Sequence, residues 1–477
     1  HAVDETVLVG TAGMVAVGGT AGVGAGLETG IIAKTTKAYI GSSSEVNAKK
    51  EISLTAASQE THVSTSIGGS VAGTAGVAGT AAVSVVANQT EAYTEDNVKL
   101  NAGNKNDPAS DSDIIIKASD YANMIVTAGA IGGGGSAGVG GSLAAAVNWS
   151  VTKAYLGNSS ETNATGTTDI NAVSAENVVT TAIAGAGGGS AGVAGSLAVK
   201  VIKSTTDAHI GQNAKVNQDD AYATDNQNVS VSAFDRVITV GLAGAGAGGG
   251  AAGVGAGADV TVVRNTTSAY IGDSAKVKAE KDVSISAESE KYVNSLSVAG
   301  AGGGSAGVAG AVSVIAVGSL LDGEAKSGLS GKDKETGESG STQGYVDGQT
   351  SKSSVGDQLG GANQADQKQA LNDTTTLLNA ETAKITISGD FDNGSNVALN
   401  NTQAFIDLNA EVNAGEDVNV KARDKTLAIL ASGAGAGGGA AGVAGSLGIV
   451  LIHDSAEAFI ARGAKVNAKK ETQVHAE

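Results

Sequence analysis

The feature that most limits what this chain can become is a phrase written seven times. The pattern [S/T/A]-A-G-V-[A/G]-[G/A] places its valine at Val23, Val77, Val139, Val193, Val254, Val308 and Val443, in steps of 54, 62, 54, 61, 54 and 135 residues. A 54-residue unit therefore recurs, and three of the steps carry extra residues. A unit repeated at fixed period buries its apolar face only by stacking on its neighbours. A second landmark keeps the same phase. An aromatic ring, or a histidine in its place, stands at Tyr39, Tyr93, Tyr155, His209, Tyr270, Phe405 and Phe459, each preceded by alanine. The terminal phrases around Ala2 and Ala476 share one repeat phase, which reads as excision from a longer repetitive protein.

Within each unit the alternation is two residues long. Ile52, Leu54 and Ala56 point one way and Glu51, Ser53 and Thr55 the other; Val283, Ile285 and Ala287 repeat the arrangement. That is the pattern of a half-buried strand, and no helical period runs through the repeats. The expected fold is an all-β, parallel β-helix-like β-solenoid of seven repeats of about 54 residues. With coils of about 18–27 residues, each unit would make two or three turns, for a rod of roughly 70–100 Å. Antiparallel hairpins stacked side by side are the alternative, because the G-G-G-[S/A] centre reads as a turn requiring positive φ. Small side chains beside it would let opposite walls approach closely.

The extra residues fall around Asn104 to Asp113, around Gln218 to Asn228, and in one 81-residue stretch. Residues 1–320 hold repeats 1–6, 321–402 an inserted segment, and 403–477 the end of repeat 6 with repeat 7. Asn363 to Ala383 has helix-forming composition, so the insertion is expected to be partly helical or flexible decoration. The two small inserts belong in exposed turns on one face.

Composition removes several function classes. With 71 Gly but a single Pro and no G-X-Y period, the chain is not collagen-like. A net charge of −18 leaves nucleic acid nothing to bind and disfavours anionic lipid surfaces. The long uncharged runs are too rich in glycine to read as membrane-spanning helices, so no membrane insertion is expected. Cysteine is absent, which excludes disulfides and thiolate chemistry.

Candidate chemistry is sparse. The five histidines form no metal-binding spacing, and no Ser/His/Asp set is suggested. G-x-G-x-x-G recurs without a following helix or Lys-[Ser/Thr], so it reads as close packing. Asp107, Asp111 and Asp113, with Asp219, Asp220 and Asp225, form acidic turns that match no calcium loop. The column Lys37, Glu91, Lys153, Asp207, Ser268, Gln403 and Glu457 mixes signs, as a solvated outer face does. Neither catalytic residues nor a metal or cofactor are expected. The one candidate surface is the outward ladder Tyr39, Tyr93, Tyr155, His209, Tyr270, Phe405 and Phe459, which reads first as a structural ladder and second as a row on which sugars or a partner could stack.

The phrases Ala184 to Val199 (A-G-A-G-G-G-S-A-G-V-A-G-S-L-A-V), Thr266 to Gly272 and Ala275 to Ala287 resemble the repeats of filamentous-haemagglutinin-like adhesins and of the fusobacterial leukotoxin group of Gram-negative exoproteins. The resemblance covers all seven units and not the insertion. It implies type V secretion, a β-solenoid shaft and an extracellular or cell-surface location. The function it implies is that of a non-enzymatic stalk giving reach and multivalent contact with a host-cell or bacterial receptor, protein or glycan. A segment of a leukotoxin-like cytotoxin, or a filament subunit associating along the rod axis, are the alternative functions.

Overall fold

A computed structural model describes residues 1–104, 106–107, 110–318 and 401–477. Three parallel sheets run up one solenoid. The first stacks β1 (Ala2–Gly18), β4 (Ile52–Ala72), β7 (Ile114–Gly134), β10 (Thr168–Gly188), β13 (Val229–Gly249), β16 (Val283–Gly303), β20 (Val418–Gly438) and β24 (Thr472–Ala476). The second stacks β2 (Ala21–Ile40), β5 (Ala75–Thr94), β8 (Ala137–Leu156), β11 (Ala191–Ile210), β14 (Ala252–Ile271), β17 (Ala306–Val317) with β18 (Asn401–Ile406), and β21 (Ala441–Ile452) with β22 (Ser455–Ile460). The short third sheet holds β3 (Glu45–Ala48), β6 (Lys99–Ala102), β9 (Glu161–Ala164), β12 (Lys215–Val216), β15 (Lys276–Ala279), β19 (Glu411–Ala414) and β23 (Lys465–Ala468).

The β-solenoid expectation holds, but the coil is larger than expected. Ala2 pairs with Ala56, Val23 with Val77 and Tyr39 with Tyr93, so one repeat makes one coil rather than two or three. Strands of 21 residues span about 70 Å, while seven layers at about 4.8 Å rise only some 30 Å. The stack of described coils is therefore wider than it is tall. Alternation has the same period on either side of a turn, so it counts strands poorly. Hairpins are excluded by the pairing, which joins successive coils in parallel and never β1 to β2.

The Gly-rich turn is where the sequence places it, between β1 and β2 and its equivalents, but not for the expected reason. Positive φ is absent there. Glycine is required by space: a Cβ at Gly189 would fall on the carbonyl oxygen of Gly135, and one at Gly250 on that of Gly189, each in the turn of the coil before. Left-handed backbone occurs instead between the second and third sheets, at Ser43, Asn97, Ser159, Asn213, Ser274, Asn409 and Gly463, one per coil. Glycine and asparagine admit this hand most readily, and serine takes the position in the other three coils.

Packing changes along the coil. Where three sheets meet, Ala56, Ile116, Leu156, Ile210 and Val283 form a closed apolar core. The column from Ala2 and Ala56 through Ala118, Ala172, Ala233, Ala287 and Ala422 to Ala476 is alanine in every layer. On the third sheet, Asn101 donates to Asn47 at 2.7 Å and Asn163 to Asn101 at 3.0 Å, a ladder that fixes register between layers. Toward the turn only two sheets remain, and the interior narrows to alanine, serine and glycine.

Both small inserts connect the third sheet to the first, as expected, and the second contains a 3-10 turn over Asp220–Tyr222. The amide of Asn106 donates to the Ala221 carbonyl at 2.6 Å, so the two inserts meet. The chain rejoins the stack at Asn401, two residues before the expected boundary. The helix expected over residues 363–383 lies outside the described residues. No described helix is long and apolar enough to cross a membrane.

Candidate functional site

The predicted ladder is present and continuous. Tyr39, Tyr93, Tyr155, His209, Tyr270, Phe405 and Phe459 stack with centroids 4.6–5.4 Å apart and planes within 11° of parallel. One layer spacing sets the distance, because each ring sits directly above its register partner. The rings face outward, as the inward alanine before each of them dictates, buried in every coil but the last, where Ala458 is partly buried. The stacking closes their faces to one another. Only Tyr39 and Phe459, at the two ends of the ladder, are exposed, so the inner rings offer edges rather than platforms for a sugar.

The mixed-sign column beside the ladder is less solvated than expected. Glu91 and Asp207 are buried, and the column links layers: Lys37 meets Glu91 at 2.9 Å and Gln403 meets Glu457 at 2.8 Å. Asp207 lies between Ser268 and the His209 imidazole, which it contacts at 2.5 Å. Burial pushes this carboxyl up, but the imidazole and hydroxyl outweigh it and hold it below its ordinary value. The order is wrong for nucleophilic catalysis, since the acid separates serine from histidine. A second contact, Ser84 with His62, lies wholly inside the wall, where burial lowers the imidazole to about 4 and keeps it neutral.

The acidic inserts are turn formers. Asp113 accepts the Thr167 amide at 2.6 Å, Asp219 accepts the Ala221 amide at 3.1 Å, and Asp220 pairs with Lys278 at 2.7 Å. Among the described residues no group of three or more His, Asp or Glu side chains could hold a metal ion.

Sequence reasoning missed a buried column of ionisable groups. Two residues beyond the alanine column, inward positions read Asp4, Ser58, Asp120, Ser174, Asp235, Ser289 and Asp424. Where that column has serine, the next inward position carries Glu60, Glu176 or Lys291. The column thus steps in zigzag from layer to layer, half-exposed at Asp4 in the first coil and buried from Glu60 onward. Lys34 binds Asp4 at 2.7 Å and Glu60 at 2.8 Å, and Lys291 binds Asp424 at 2.7 Å. Between these two cations the acids are held by neutral groups. Asn88 and Thr90 donate to Asp120 at 3.3 Å; Ser150 and Ser174 donate to Glu176 at 2.6 and 2.7 Å; Ser204 and Asn265 donate to Asp235. Burial, reinforced by the neighbouring Glu60 carboxylate, pushes Asp120 up to about 8. Burial and Asp235 push Glu176 well above its ordinary range, and burial lifts Asp235 to about 6. The signal was present in the sequence as Asp/Ser alternation at fixed distance from alanine, with a parity that points inward.

A separate fully buried pair joins Lys200 to Asp259 at 2.6 Å, with Thr180 and Ser295 as further partners. Burial pushes the amine down and the carboxyl up, against their mutual attraction.

Comparison with protein-family models, characterised proteins and solved structures finds no match for this chain.

Proposed function

We propose that the chain is a non-enzymatic structural element of a secreted or surface-displayed adhesin, as its resemblance to filamentous-haemagglutinin-like repeats implies. The observation that carries this reading is the stacking itself. Strand positions stack on their register partners layer by layer, the aromatic column most uniformly, which is a geometry for repeated weak contacts rather than for one reacting centre. The acids with the most strongly raised pKa values, Asp120, Glu176 and Asp235, are buried inside the wall. A solenoid that rises about 4.8 Å per 54 residues gains length slowly, so broad walls contribute more to display than reach does. The partner class is a host-cell or bacterial surface receptor, protein or glycan, and the location is extracellular.

Because the chain has no cysteine, one introduced on an exposed turn takes a single label. The test is retention of that labelled chain on epithelial and bacterial cells. Saturable retention that strengthens when the chain is clustered on beads, with no glycan or peptide turnover, is the expected result. Retention no greater than that of an unrelated acidic protein overturns the reading, as does turnover lost with a single carboxylate.

A further inference from the structure

The glycines of the long strands fall into two classes. Those pointing inward are demanded by the opposite sheet, as at Gly140 and Gly255. Those pointing outward are not, on the second sheet (Gly79, Gly141, Gly195 and Gly310) as on the first, and it is the first-sheet set that lies in an uncharged, knobbed surface. A Cβ at Gly129, Gly187, Gly246, Gly302, Gly433 or Gly435 would meet nothing within 4 Å. Glycine inside a strand costs conformational entropy and supplies no side chain to pack, so it belongs where another backbone approaches closely. Nothing described in this chain approaches these positions.

The surface around them is apolar. From the level of Val9 to the turn, the outward residues of β1, β4, β7, β10, β13, β16 and β20 include no charged side chain. Ile67, Ile131, Ile183 and Val298 are 47–69% exposed there. One outward column reads Gly13, Ile67, Gly129, Ile183, Gly244, Val298 and Gly433, a knob and a hole in alternate layers. The rim has both signs of charge: Lys425 lies 5.3 Å from the Tyr292 ring, Arg236 lies 5.6 Å from it on the next coil, and Arg236 faces Glu290 at 3.9 Å.

We propose that this outer face of the first sheet is an interface with a second copy of the chain, packed sheet against sheet about a two-fold axis. Knobs recur every second layer, about 9.6 Å apart, with glycine between them, so a copy displaced by one layer seats its isoleucines on the other's glycines. Some ten residues by seven layers gives about 1,000 Å² per copy and about 2,000 Å² in total, enough for a stable dimer. A mixed-sign edge beside an uncharged field lets Arg236 or Lys425 of one copy meet Glu290 of the other. A lipid surface would call for neither the relief nor the glycines, and the net charge of −18 opposes an anionic one.

The test is light scattering of the intact chain from low micromolar to about 100 µM. The expected result is a dimer whose dissociation constant rises at least a hundredfold in Ile131→Glu/Ile183→Glu, with circular dichroism unchanged. Gly246→Val guards against misfolding: it puts a strand-former into open space, so it should raise the melting temperature of the single chain while abolishing the dimer. A chain that stays monomeric throughout overturns the proposal. So does a dimer unaffected by these variants, which would place association at the solenoid's open ends. Flotation of a monomeric chain with neutral phosphatidylcholine vesicles, lost in the Glu variants, would assign the face to lipid instead.

Discussion

Asp120 should make this solenoid weaker in alkali, and its amide should cure the weakness. The carboxyl is fully buried, with Oδ1 held by Asn88 and Thr90 and Oδ2 without a partner. Its pKa rises from 3.8 to about 8 through burial and the nearby Glu60. A raised acid means that the folded state binds the proton more tightly than the unfolded chain does. The group therefore costs nothing below the unfolded value, and the cost grows as pH rises toward the folded value, where it levels off. At about 1.4 kcal/mol per pKa unit, the full penalty is roughly 5–6 kcal/mol, of which about 3 kcal/mol accrues between pH 6 and pH 9. Asp120→Asn keeps the shape and an acceptor for Asn88 and Thr90, and it cannot ionise. Urea unfolding of both proteins at pH 6 and pH 9 reads the difference. The wild type should lose about 3 kcal/mol more than the variant over that interval. The variant should gain at pH 9 in absolute stability. Equal loss in both proteins, or a variant less stable at pH 9, would show that Asp120 is not the neutral buried acid described above. Glu176 and Asp235 lie in the next two layers and titrate with it, so their contributions are not to be added.

Lys200→Met should destabilise by about 3–5 kcal/mol in the same assay, because it strands Asp259, and Lys200→Met/Asp259→Leu should recover most of that loss. Tyr155→Ala removes two ring contacts and should cost about 1–3 kcal/mol, whereas Tyr39→Ala removes one and should cost about half as much, measured by thermal unfolding. Gly140→Ala drives a methyl into the opposite sheet and should lower the melting temperature by several degrees. Gly195→Ala, on an outward site with nothing within 4 Å, should raise stability by about 0.5–1 kcal/mol.

Much of this architecture was legible in the sequence. The 54-residue step gave the register that pairs Val23 with Val77, and the aromatic spacing gave the ladder from Tyr39 to Phe459. The parity about Ala38 put the rings outside, and the inserts before Ile114 and Val229 marked the exposed turn. The size of the coil was not legible. A run such as Leu242 to Ala258 alternates through its turn without a break, and nothing in the alternation says that the strands on either side belong to different sheets. The buried acids escaped for another reason. Asp120 and Glu176 sit in strands whose outer faces are also polar, so a carboxylate there reads as solvated until the alanine two residues earlier fixes its direction. The glycine turn was located correctly and explained wrongly, because crowding between backbones leaves no mark that distinguishes it from a demand for positive φ.

The zigzag of Asp4, Glu60, Asp120, Glu176 and Asp235 also constrains how such a chain can change length. The buried column repeats every two layers rather than every one. Excising a single turn, Thr168 to Asn228 for instance, would bring Asp235 directly above Asp120 with no serine layer between them. Excising two turns would preserve the alternation. Shortening or growth that keeps this buried column in phase should therefore proceed in double steps.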